Sequence, residues 1–61
     1  MKENVKKLEI MQKNDYSQDI FVNDLRFKFF LEDDPEAIIE ILSEKYALSD
    51  ENKKDIMGAW K

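Results

Sequence analysis

Side-chain catalysis needs a nucleophile with a base beside it, a paired acid and base, or a set of metal ligands. This chain contains no histidine and no cysteine. Its hydroxyls are Ser17, Ser43, Ser49, Tyr16 and Tyr46. Without an imidazole or a thiolate, the usual Ser–His or Cys–His pairing cannot be built. Ser17 and Ser49 read instead as turn or helix-cap residues, whose oxygen accepts a backbone N–H. The densest carboxylate group is Glu32-Asp33-Asp34-x-Glu36. Carboxylates so close could hold a divalent cation or form an acid–base pair, but the alternating acids and central glycine of a calcium loop are missing. The simpler reading is a helix N-terminus loaded with negative charge to match its dipole, and Asp50 and Glu51 take the same reading. The expectation is a protein that is not an enzyme and uses no metal or cofactor.

The elements that would carry these residues can be read from apolar spacing. Asp34-Pro35-Glu36 reads as N-cap, Pro at the first helical position and an acid in the first turn. Behind it Ile38, Ile39, Ile41, Leu42 and Tyr46 share one side at 100° per residue, with Glu40 and Glu44 away from that stripe. The spacing predicts a helix over 35–46. Ser49 then caps a second helix over 50–60, with Ile56, Met57 and Trp60 on one side. Gly58 weakens that helix by about 1 kcal/mol relative to Ala.

Residues 20–31 follow period 2. Leu25, Phe27, Phe29 and Leu31 share one face and Arg26 and Lys28 the other. Ile20-Phe21-Val22 is a second short strand, and Asn23-Asp24 between them can form a tight turn. The alternative is one buried helix over 18–31, which would make an all-α helical mini-domain. At the N-terminus Val5, Leu8 and Met11 suit a helix, while Leu8 and Ile10 alternate as in a strand. Good helix formers dominate 2–13 and favour the helix. The expected fold is a small α+β domain of order α-β-β-α-α, a two-stranded hairpin covered by about three helices. A lone hairpin is marginal in water, so helices or a second subunit must cover it.

With 61 residues the chain makes one domain, 1–61. A domain this small buries about 60% of the surface its unfolded chain exposes, and its core supplies roughly 3–5 kcal/mol. Cysteine is absent, so no disulfide helps. The composition is 43% apolar with seven aromatics, more than such a domain easily hides, so some aromatics are expected at an interface. Phe30 falls on the Arg26 and Lys28 face. Trp60 either anchors a partner or closes the core against Ile39 and Leu42. The net charge is −4, unevenly spread: 1–13 carry four lysines against two glutamates, and 32–61 carry nine acids against four lysines. The acidic half should repel nucleic-acid phosphates. There is no signal-peptide pattern and no apolar run of about 20 residues. A cytoplasmic location and no membrane partner are expected. The bias to Lys, Glu, Asp, Asn and Ile suits an AT-rich genome, such as that of a bacterium, its phage or a mobile element.

The leading expectation is a small acidic regulator, adaptor or inhibitor that docks on another protein, alone or as a homodimer. Phe30 and Trp60 are candidate anchors. Glu32, Asp33, Asp34, Glu36, Glu40 and Glu44 could present a phosphate-like track to a DNA-binding partner. The alternative is a dimeric DNA-binding regulator using Arg26 and Lys28, interleaved with Phe27 and Phe29. In element order, 25–60 resembles the ribbon-helix-helix repressors. That resemblance implies a dimer sharing the ribbon, with Arg26 and Lys28 reading bases, although the Gly-containing turn usual between the helices is missing. Leu42-Ser43-Glu44-Lys45-Tyr46-Ala47-Leu48-Ser49 resembles the first helix and turn of a helix-turn-helix. Ala47 takes the small turn position and Leu48-Ser49 the opening of the recognition helix. Lys53 departs from that pattern where a buried aliphatic belongs, and Asp50 and Glu51 would face phosphate.

Overall fold

The computed structural model describes residues 1–60. Five strands and two helices follow in the order β1 (Glu3–Asn4), β2 (Leu8–Gln12), β3 (Ser17–Val22), β4 (Leu25–Phe30), α1 (Pro35–Ser43), β5 (Tyr46–Ala47) and α2 (Asp50–Ala59). Strands β2, β3 and β4 form an antiparallel sheet with β3 at its centre, and β1 pairs in parallel with β5. This corrects the expected fold: the hairpin gains a third strand, the helices number two, and the all-α alternative is overturned.

The N-terminal segment decides the difference. As a strand, β2 sets Leu8 opposite Val22 and Ile10 opposite Ile20. Leu8 and Ile10 then pack on the apolar cluster, and this burial outweighs the local helix propensity of 2–13. The central strand also begins earlier than its apolar residues suggest. Ser17, Gln18 and Asp19 are buried in it. Gln18 belongs to the core face, where its Nε2 donates to the Ala59 carbonyl at 2.8 Å.

Between β3 and β4, Asn23 (φ 51°) and Asp24 (φ 69°) both lie in the left-handed region. Two such residues make the type I′ turn whose twist matches a hairpin. The Asn23 side chain also ties down the N-terminal segment. Its Oδ1 accepts from Lys6 N–H at 2.6 Å and Lys7 N–H at 3.1 Å, and its Nδ2 donates to the Asn4 carbonyl at 2.9 Å.

Helix α1 starts as its sequence predicts: Asp34 Oδ1 accepts from Glu36 N–H at 3.1 Å, and Pro35 opens the helix. It stops at Ser43, three residues before the expected end. Tyr46 is instead buried in β5 opposite Glu3, a placement that a continued helix would deny it. Ile41 turns outward, 55% exposed. A capping box opens α2: Asn52 N–H donates to Ser49 Oγ and Ser49 N–H to Asn52 Oδ1, each at 3.1 Å.

Both helices supply the cluster that covers one face of the large sheet: Ile20 and Val22 meet Ile38, Leu42, Tyr46, Ile56 and Trp60. No helix among the described residues is long and apolar enough to cross a membrane.

Candidate functional site

Period 2 sends the other side chains of the sheet to the face opposite the helices. The register places Glu9, Met11, Ser17, Asp19, Phe21, Arg26, Lys28 and Phe30 there. Among the described residues, the buried side chains of both helices pack on the other face, with Ile20 and Val22. Phe30 is 52% exposed and Met11 54%, and Phe21 is half-buried. Phe30 also borders a notch of about 500 Å³ that includes Tyr16, Leu31, Asp15 and Glu32. The Lys28 ammonium stands 5.8 Å from the centre of the Phe30 ring, within cation–π range. The apolar and cationic parts of this face are therefore contiguous.

Its centre is unusual. Asp19 is fully buried on the central strand, between Met11 and Lys28 across the ladder. Arg26, on the diagonal, brings Nε to 2.9 Å from Asp19 Oδ2. The N–H is not aimed along that contact. Neither Asp19 oxygen has an aligned hydrogen bond among the described residues, and neither does Ser17 Oγ on the same face. Charge attraction to Arg26 is thus the main compensation for a desolvated carboxylate. Composition and motif spacing did not single out Asp19. A strand extended back from Ile20 to Ser17 would have placed it beside Arg26.

The structure divides the other candidate residues. Trp60 is 4% exposed and belongs to the core: its Nε1 donates to the Phe30 carbonyl at 3.0 Å, and its ring meets Phe29 edge-on at 6.3 Å. Asp33 Oδ2 accepts from Phe30 N–H at 3.0 Å, and Asp34 caps α1. Both acids therefore serve the local chain. Glu32, Glu36, Glu40 and Glu44 remain exposed, Glu36 and Glu40 on α1 and Glu44 at its C-cap. Beside them is an open groove of about 600 Å³ whose lining includes Lys2, Ile39, Glu40, Ile41, Glu44 and Lys53. Its two lysines offset its two glutamates. No cluster of three or more acids stands close enough to hold a metal ion among the described residues.

The two resemblances fare differently from their element order. The strand that would form a shared ribbon pairs within this chain, as the third strand of the sheet. The turn of the helix-turn-helix pattern is occupied by β5. Comparison with protein-family models, with curated proteins and with solved structures returned no match.

Proposed function

We propose that this chain is a small protein-binding module, a regulator, adaptor or inhibitor, that docks on a partner protein through the uncovered face of its three-stranded sheet. The observation that carries this reading is the exposure of Phe30 and Met11 on a face that no described helix covers, joined to exposed Tyr16 across the notch that Tyr16 shares with Phe30. Aromatics surrounded by polar groups are typical binding anchors. Arg26 and Lys28 frame the apolar part and would select a partner with complementary charge.

The second reading is nucleic-acid binding through the same two cations. The pairing of Lys28 with Phe30 favours it, because stacking platforms combine these residue types. The tie of Arg26 to Asp19 and the net charge of −4 weigh against it.

Affinity capture from the source cells, with and without nuclease, separates the two. The experiment compares the natural chain with Phe30→Asp, which changes an exposed side chain. Under the protein-binding reading one stoichiometric protein survives nuclease and is lost with Phe30→Asp. A partner retained by Phe30→Asp would reject this face. Recovery of nucleic acid alone would select the second reading.

A further inference from the structure

A two-residue hairpin turn fixes which backbone groups of β4 face β3. Val22 and Leu25 flank the turn and exchange hydrogen bonds, so Phe27 and Phe29 do the same with Ile20 and Gln18. The N–H and C=O groups of Arg26, Lys28 and Phe30 then point outward, along the free edge of the sheet. Bonds on the far side of β3 agree with this alternation: Asn23 N–H donates to the Lys7 carbonyl, and Lys13 N–H to the Ser17 carbonyl. At Phe30 the outward groups are occupied, the N–H by Asp33 Oδ2 and the carbonyl by Trp60 Nε1. At Arg26 and Lys28 no described residue takes them, and both residues are exposed. The opposite edge differs: the outward residues of β2 include Leu8 and Ile10, which are half-buried, and α2 packs beside that strand.

We propose that the β4 edge at Arg26 and Lys28 accepts an extended acidic segment of a partner protein as a fourth strand. The segment bonds the free main-chain groups of Arg26 and Lys28. It sets acids opposite those two residues and an apolar side chain opposite Phe27. The proposal rests on the protein-binding reading above and gives the partner its chemistry. In strand addition, main-chain bonds give affinity and alternate side chains give specificity.

Charge complementarity chooses the occupant. Lys28 makes no ion pair within 4 Å among the described residues, its ammonium lying over the Phe30 ring although Asp19 stands opposite it on the ladder. Arg26 spends only Nε on Asp19, leaving its terminal N–H groups for an incoming carboxylate. A second copy of the chain does not fit. Antiparallel pairing centred on Phe27 sets Arg26 of each copy opposite Lys28 of the other. Centring on either cation sets like on like. Like charges directly opposite destabilise a ladder, and cationic edge strands discourage self-pairing for this reason. The same two charges attract an acid-apolar-acid strand. On the helix side, the apolar residue would lie beside half-buried Phe27 and exposed Leu25.

The probes are two capped synthetic peptides, one alternating Glu and Val and one alternating Lys and Val, titrated into the full ¹⁵N-labelled chain. The expected result is binding of the Glu–Val peptide only, with slowed exchange of the Arg26 and Lys28 amides. K28E should weaken Glu–Val binding by about tenfold or more and turn the preference toward Lys–Val. K28P deletes the outward N–H without touching the β3 ladder, a position where an edge strand tolerates proline. It should bind the Glu–Val peptide about tenfold more weakly than K28Q. No binding of the Glu–Val peptide, equal binding of both peptides, or binding that leaves the Arg26 and Lys28 amides unprotected would overturn the proposal. If K28P does not fold, the K28E inversion and the amide exchange decide it. A captured partner lost with Phe30→Asp but held by K28E would leave the docking face standing and remove strand addition.

Discussion

At the scale of single residues, Asp19 and Arg26 form the most consequential pair outside the core. Arg26 is about half exposed, which softens the interaction, but its partner is fully buried. Arg26→Ala should destabilise the chain by roughly 1–3 kcal/mol in urea unfolding, because it leaves a buried carboxylate uncompensated. Adding Asp19→Asn to that variant should recover part of the loss, since an amide replaces the orphaned charge. A loss that the second change does not touch would show that Arg26 acts through other contacts. Tyr46 makes the opposite case. Its hydroxyl is buried without a partner among the described residues, while its ring meets Phe27 edge-on at 6.0 Å. Tyr46→Phe keeps the ring and removes the unsatisfied group. The midpoint of unfolding should therefore hold or rise, by up to about 1 kcal/mol of stability. A clear drop would reveal a hydrogen bond at that oxygen.

At the scale of elements, the local chemistry of turns and caps was legible where a residue type is matched to one backbone role. Asp34-Pro35 starts α1, Ser49 starts α2, and Asn23-Asp24 turns the chain. Residues 8–12 were ambiguous because Leu8 and Ile10 support a strand and Leu8 and Met11 a helix. Only the long-range partners Val22 and Ile20 settle which pair is buried, and no local rule carries that information. The polar start of β3 was obscured for a related reason. Ser17 and Asp19 are buried by neighbouring strands on a face that apolar spacing reads as solvent. Among candidate site residues, Phe30, Arg26 and Lys28 were legible from alternation alone. The acidic run was legible as a helix cap, but its spacing did not reveal that Asp33 holds the Phe30 backbone. The exposed acids of α1 give a prediction at this scale. If the sheet face is the docking surface, Glu40→Lys should leave partner capture unchanged, within about twofold. A large loss would move the site to α1.

At the scale of the whole molecule, stability rests on one small apolar cluster with no disulfide. Ile20, Ile38 and Ile56 are at most 1% exposed, and each contributes about 1.5–3 kcal/mol by leaving water. Ile56→Ala should cost about 2–5 kcal/mol, close to all the stability such a core supplies. Loss of dispersed, folded NMR signals at 25 °C is the expected outcome. A variant that remains fully folded would mean that the core is larger than this cluster. A domain with so little reserve gains from a partner that binds only its folded form, and the bare sheet face is where such a partner would add apolar contact.

The most direct measurement is hydrogen–deuterium exchange across the chain, with and without the captured partner. Docking on the sheet face predicts slowed exchange concentrated in residues 9–11 and 26–30, with α1 unchanged. Protection confined to residues 35–44, or none on the sheet, would contradict it.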